Sequence, residues 1–212
     1  MDPIREFFDA MAPSYDDDIV ELGWDPVALL KRWPFQVTAG AALLDAGCGT
    51  GAVLDNYAGA NRKLAGFDVS PKMLAYARRR DGLRNADIRQ GDAAGEWPYV
   101  DASFDDIICL GVLEFVEDVT GPLLEIERLL KVGGRAIVSF DDIVDAAGNE
   151  LPPTELRYGS LPLWRRSLEE VLSSVPSGLD LVRTERVTAY EVVELGFTTA
   201  YHVVELERNA RA

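Results

Sequence analysis

The sequence predicts an alternating α/β fold: a mostly parallel sheet wrapped by crossover helices, preceded by a helical lead-in and finished by one reversed strand. Short apolar runs separated by helical stretches begin at Ala42 and continue to about residue 142, the pattern of strands buried on both faces. Acidic residues close the first three runs at nearly equal intervals. Two long β-rich segments, "DLVRTERVTAYEVV" and "TTAYHVVELER", are joined by only a few residues around Gly196, and so short a link forces an antiparallel pair. With 212 residues, 48% of them hydrophobic, the chain can bury one core and is short for two full domains. It reads as a single domain over residues 1–212: a lead-in to residue 40, a core from 41 to 140, and a loop, helix and final antiparallel strands from 141 to 212.

The elements follow in order. Ile4, Phe7, Phe8 and Met11 share one helical face, and Pro13 stops that helix. A second helix starts at Asp25, with Pro26 in its first turn and Val27, Leu30 and Trp33 turned inward. The strand runs are "ALLDAG", "KLAGFDV", "ADIRQGD", "FDDIICLGV" and "GRAIVSFDD". Between them, "SPKMLAYARR" has Ser70 as N-cap, and "GPLLEIERLLKVGG" ends on glycines suited to a helix stop. The triplet Arg78, Arg79 and Arg80 is expected at a solvated helix end, where cations suit the dipole. Asp145 to Leu163, with Pro152, Pro153, Gly159 and Pro162, reads as a long loop of the kind that often binds substrate. A helix capped by Ser167, with Glu170 three residues on, follows it.

Charge and composition narrow the function. A net charge of -15 argues against nucleic acid as a partner, because such binding rests on cations that neutralise phosphates. Two cysteines, Cys48 and Cys109, with the lone His202, make a poor zinc set, so no metal is expected. "MDPIREFFDA" is neither a signal peptide nor an anchor, and no run reaches the length of a membrane span. The expectation is a cytoplasmic protein acting away from membranes, as a monomer or homodimer.

Asp45, Asp68 and Asp92 close the first three strand runs, 23 and 24 positions apart. That interval is about one strand plus one helix, so the carboxylates line up along one edge of the sheet, where open α/β sheets bind ligands. Glycines at 47, 49 and 51 follow the first acid. "GCGTGA" also fits a dinucleotide fingerprint, with Asp68 where an acid would meet a ribose. Asp45 argues against a pyrophosphate and for a ligand carrying positive groups, since like charges repel.

"LLDAGCGTG" resembles the first motif of class I S-adenosylmethionine-dependent methyltransferases, and "GFDVSPKML" the second. "RQGDAAGEWPYVDASFDDIICLGVLEFVED" is similar to the third and fourth, and "RLLKVGGRAIVSF" to the stretch around the fifth strand. The resemblance covers roughly residues 40 to 140. It implies a Rossmann-like, doubly wound, seven-stranded sheet with its last strand reversed, and S-adenosylmethionine as cofactor. It further implies that Asp45 and the backbone of Gly47, Cys48 and Gly49 hold the methionine part, with its carboxylate at the helix start after Gly51. Asp68 would accept from the ribose hydroxyls, with Val69 and Met73 packing on the adenine. Asp92, beside Ala93 and Ala94, would take the adenine amino group, and Leu110 would offer its carbonyl to the ammonium. Tyr15 matches a tyrosine that lies over the cofactor in many small-molecule relatives. Where many relatives have a histidine after the fourth strand, this chain has Phe115.

The reaction implied is direct displacement of a methyl group onto an O, N, S or C nucleophile of a small molecule. Alignment and dry surroundings carry much of such a step, and a general base depends on the nucleophile's pKa. Candidates for that base are Glu114, Asp141, Asp142 and His202; turns and strand packing are their structural alternatives. Trp24, Trp33, Trp164, Tyr158 and Tyr190 are candidate walls for an acceptor pocket. Two other readings compete, a NAD-dependent oxidoreductase and a methyltransferase-like partner subunit without turnover.

Overall fold

The computed structural model describes residues 2–33, 37–59, 61–157, 159–192 and 197–211; Tyr158 and Gly196 lie outside them. Three helices lead in. The first, α1 (Pro3–Met11), is capped by Asp2, whose carboxylate accepts from the Ile4 N–H at 3.0 Å. The second, α2 (Tyr15–Glu21), has no apolar stripe to announce it; its first turn carries Asp16, Asp17 and Asp18, a placement the helix dipole favours. The third, α3 (Pro26–Arg32), starts where expected, with Asp25 accepting from the Ala28 N–H at 2.8 Å. Leu29, Leu30 and Trp33 are buried, and Val27 is half-buried.

The core alternates as its apolar runs predict: β1 (Ala42–Ala46), α4 (Ala52–Asn56), β2 (Lys63–Asp68), α5 (Pro71–Ala77), β3 (Asp87–Gln90), β4 (Phe104–Cys109), α6 (Thr120–Leu129) and β5 (Leu130–Asp141). Ser70 caps α5, its hydroxyl accepting from the Met73 N–H at 3.1 Å. The α6 helix stops at Leu129, ahead of the glycines that were expected to end it. Gly133 and Gly134 lie instead in β5, near an irregularity where its register against β4 shifts between Phe104 and Asp106. Of the arginine triplet, Arg78 and Arg79 are exposed, but Arg80 is half-buried and donates to the Thr50 carbonyl at 2.7 Å. That third cation pins the glycine loop to α5 instead of facing solvent.

The stretch expected as a long loop contains a hairpin, β6 (Thr154–Arg157) against β7 (Leu161–Trp164). Pro152 and Pro153 precede the hairpin and Pro162 lies inside β7, so the alternating residues escape notice in so short a span. Helix α7 (Leu168–Ser173) follows, with the Ser167 side chain accepting from the Glu170 N–H at 3.2 Å. Two long strands close the fold, β8 (Leu179–Val192) and β9 (Phe197–Arg208).

The seven-stranded sheet has the order β3-β2-β1-β4-β5-β9-β8. The last strand of the chain, β9, is the reversed one; it lies antiparallel to both β5 and β8. Every residue of β1 is buried, because apolar layers cover both faces of the sheet. Leu44, Phe67, Ile107 and Val138 pack with α6 on one face. Leu43, Ile108, Ile137 and Tyr201 pack with α3 on the other. Strand order reverses between β1 and β4, and the crevice at that point is where such sheets take ligands.

Candidate active site

The crevice opens into a cavity of about 120 Å³, a concave site of the kind that takes small ligands. The loops after β1, β2, β3 and β4 form its floor, and α1 with the start of α2 forms its roof. Of the residues singled out in the sequence, Tyr15, Gly47, Gly49, Asp68, Val69, Met73, Asp92 and Ala93 line it. Asp45, Cys48, Gly51 and Leu110 do not, although the next residues after Leu110, Gly111 and Val112, do. Gly51 begins α4 and packs against Leu83 and Ala77.

Gly47 is where the backbone dictates the residue. It has φ +71, and a Cβ there would lie 2.3 Å from the Val112 side chain, so only glycine lets the loops after β1 and β4 close on each other. The N–H groups of Gly47 and Cys48 both donate to the Phe67 carbonyl, and that of Gly49 donates to Asp68 Oδ2 at 2.9 Å. These donors are spent inside the protein, and α4 has only five residues. At Gly47, Cys48 and Gly49 the loop therefore offers a ligand close approach and carbonyl oxygen.

The electrostatics are those of a site for a cation. Asp45 is 4% exposed, and its Oδ2 has no hydrogen-bond partner. Burial, reinforced by the charge of Asp68, pushes its carboxyl up to about 8. Asp68 is pushed up to about 6 by burial, against the pull of the Ser70 and Gly49 N–H groups. The Tyr15 phenol is raised by burial and then by Asp68, Glu114, Asp16 and Asp45. A positive ligand would relieve all of these at once. Asp92 is exposed and accepts from the Ala94 N–H at 2.9 Å.

The roof explains an oddity of α1. None of its residues is buried, yet Ile4 and Phe8 of its apolar stripe face the cavity. Phe8 meets Phe115 edge-on at 5.2 Å and Tyr15 at 6.2 Å, so the phenylalanine that stands where many relatives have a histidine closes the cavity with an aromatic contact. Asp9 ties the roof down, accepting from the Ser70 hydroxyl at 2.6 Å and the Lys72 N–H at 3.2 Å. Asp16 accepts from the Thr50 hydroxyl.

The four candidate bases separate by location. Asp142 pairs with Arg186 at 2.7 Å and with His202 Nε2 at 3.2 Å. Burial lowers the His202 pKa despite that carboxylate. Asp141 pairs with Arg165 at 3.2 Å and Arg157 at 3.4 Å, and burial pushes it up to about 6. Neither aspartate nor His202 lines the cavity, and all three are taken up in holding the hairpin and β8 to the sheet. Glu114 does not line the cavity either, but it sits in the turn between the lining residues Val112 and Phe115; it is 1% exposed, bonds to the Tyr201 hydroxyl, and keeps Oε2 without a partner, as Asp141 keeps Oδ1. Of the candidate aromatic walls, Trp24 packs on Tyr201 and Tyr190 near this glutamate, whereas Trp33 donates to Glu205 at 3.1 Å in the core. Arg166 carried no signal in the sequence. It is buried, and its guanidinium donates to the carbonyls of Leu113, Val116 and Glu117, holding the loop after β4 against the hairpin.

Residues 44–138 match the methyltransferase domain family. The demethylmenaquinone methyltransferase of Tropheryma whipplei is 33% identical over 197 residues, covering 92% of this chain and 80% of that protein. The chain belongs to the class I S-adenosylmethionine-dependent methyltransferases. The ubiquinone/menaquinone biosynthesis C-methyltransferase of Desulfotalea psychrophila is 30% identical over 178 residues, covering 78% of this chain and 69% of that protein. A solved S-adenosylmethionine-dependent methyltransferase from Mesorhizobium loti shares the fold, with a TM-score of 0.68 at 20% identity over 85% of this chain and 96% of its own. This methyltransferase uses S-adenosylmethionine as its donor and transfers the methyl group by displacement to a small metabolite; these relatives do not favour the oxidoreductase or the inactive subunit. Among the described residues no helix is long and apolar enough to cross a membrane.

Proposed function

We propose that this methyltransferase methylates a small hydroxylated aromatic ring of the quinol type at carbon. The observation that carries the reading is the cavity at the crevice between β1 and β4, walled by Ile4, Phe8, Val112, Phe115 and Val116. It suits a flat apolar ring, and the relatives are named for demethylated and ubiquinone-type quinones. The surface charge of -15 supports a small acceptor over nucleic acid. We read the chain as one cytoplasmic domain, active as monomer or homodimer, with the donor held by residues 41–140 and the acceptor by residues from both flanks.

S-adenosylmethionine, when bound, supplies an activated methyl on a sulfonium whose departure leaves a neutral thioether. The unpartnered Oδ2 of Asp45 would accept from the ammonium, together with the loop carbonyls after β1 and that of Leu110. Cys48 stays with the loop as a buried packing residue. Asp68 keeps lone pairs for the ribose hydroxyls beyond those that accept from Ser70 and Gly49. Val69 and Met73 would pack on the adenine, Asp92 beside Ala93 would meet its amino group, and Tyr15 would cover the donor from the roof. Phe8 and Phe115 exclude water and hold the acceptor ring in line, the kind of alignment that contributes on the order of 7 to 11 kcal/mol to a displacement.

Calorimetric titration with S-adenosylmethionine and S-adenosylhomocysteine, followed by mass spectrometry of 1,4-dihydroxynaphthalene incubated with donor and enzyme, tests this. A mass gain of one methyl on the ring carbon is expected. Donor binding without methyl transfer to the ring would sink the acceptor reading and leave the donor site standing.

A further inference from the structure

Among the described residues three buried carboxylate oxygens have no partner in the protein: Asp45 Oδ2, Glu114 Oε2 and Asp141 Oδ1, the last on a carboxylate already paired with Arg157 and Arg165. A buried carboxylate left unsatisfied costs free energy, and its persistence marks a place where a ligand completes the bonding. Asp45, below the glycine loop, is the one assigned above to the donor's ammonium. Glu114 lies in the turn Leu113–Phe115, between two cavity-lining residues, Gly111 and Phe115. Gly111 brings the cavity wall close to the glutamate: a Cβ there would lie 3.9 Å from Glu114 Oε1, the oxygen that accepts from Tyr201, and 3.3 Å from Trp24 Nε1.

Resting on the quinol reading above, we infer that Glu114, set behind the cavity-lining Gly111 and Phe115 and aimed by the Tyr201 hydroxyl, is the catalytic base of the acceptor subsite. Tyr201 bonds to one oxygen of Glu114 and leaves the other for the substrate. The ring hydroxyl gives its proton to Glu114 Oε2 as the neighbouring ring carbon forms its bond to the methyl carbon. The carbon–sulfur bond breaks and its electron pair stays on sulfur. Rearomatisation then sheds the ring proton to water, while Glu114 returns its proton to the ring oxygen. One methylated quinol, one thioether and one proton result.

The surroundings of Glu114 set its titration. Tyr201 of β9, Tyr190 of β8 and Tyr15 of α2 present phenols, and Cys109 of β4 a thiol raised by burial. Asp141 of β5 opposes its charge, while Arg157 of β6 and Arg166 favour it. Burial dominates and pushes Glu114 up to about 7, against the pull of the Tyr201 hydrogen bond. A base of that kind operates near neutral pH.

The test compares wild type, Glu114→Gln and Tyr201→Phe on 1,4-dihydroxynaphthalene, with the donor Kd of each measured by calorimetry. Glu114→Gln should lose about 10²- to 10⁴-fold in kcat while its donor Kd stays within threefold of wild type, which also certifies its fold. The wild-type rate should fall on acidification through about pH 7. Tyr201→Phe should move that limb to higher pH, because it removes a bond that lowers the glutamate's pKa. A Glu114→Gln variant with full kcat, or an unmoved limb in Tyr201→Phe, overturns the assignment alone. A wild type that binds donor and leaves the ring unmethylated overturns the quinol reading, and the assignment falls with it.

Discussion

The two sides of the cavity are built by different rules. The donor side is local: Asp45, Gly47 and Gly49 sit within five residues of one another, and Asp68 ends the next strand. The acceptor side is assembled from distant parts. Glu114 meets Tyr201 across 87 residues, Arg166 reaches Val116 across 50, and Phe8 meets Phe115. A site whose ligand is fixed can be written as a short motif; one whose ligand varies is written in tertiary contacts, where single side chains can change without disturbing the sheet.

Arg166→Met offers the hardest blow to this contrast. It leaves several buried carbonyls without a donor and should cost about 3 kcal/mol, roughly 6 to 12 °C in Tm. Because the damage falls on the loop after β4 and the hairpin, acceptor KM should rise more than donor Kd at a temperature where the variant is folded. Equal losses on both sides would break the distinction. Asp68→Ala is the reverse case. Loss of charge-assisted bonds to the ligand should weaken donor binding by about 100-fold in calorimetry, with little change in acceptor KM at saturating donor.

Phe8→Ala tests the roof. Loss of an edge-on aromatic pair is worth about 0.5 to 1.5 kcal/mol beyond area, so a rise of up to about tenfold in acceptor KM is expected, with Tm nearly unchanged because α1 buries none of its residues. The smallest effects concern protons. Asp45 at about 8 and Asp68 at about 6 both lie above the ordinary carboxylate value of 3.8. Between pH 4 and 8 the folded chain therefore holds protons that the unfolded chain has released, and the free enzyme should lose stability as pH rises through that window. A cation beside Asp45 favours the carboxylate, so donor binding at pH 7 should release up to one proton. Calorimetry in buffers of different ionisation enthalpy measures it, and Asp45→Asn should remove it.

The same contrast governs what the sequence discloses. Asp45, Asp68 and Asp92 at the strand ends and the glycines after β1 follow from short-range pattern, and the strand runs of the core from periodicity. Helix α2 hides because its three aspartates break any apolar stripe, and the β6–β7 hairpin because its prolines suggest a loop. Glu114 is visible as a titratable residue after β4, but not its unpartnered oxygen, which exists only once β9 brings Tyr201 beside it. Asp142 and His202 look equally eligible in the sequence and turn out to satisfy each other. Arg166 is simply one more surface-type residue until its burial is seen.

The placement of β9 reaches beyond the site. It slots between β5 and β8, so on synthesis both of those strands wait with an open hydrogen-bonding edge until residues 197–208 arrive, and such edges invite pairing with other chains. The strand that ends the wait also delivers Tyr201. Completion of the sheet and arming of the acceptor side are thus one event in the life of the nascent chain, and a truncated product would be prone to aggregate before it had any chance to methylate the wrong molecule.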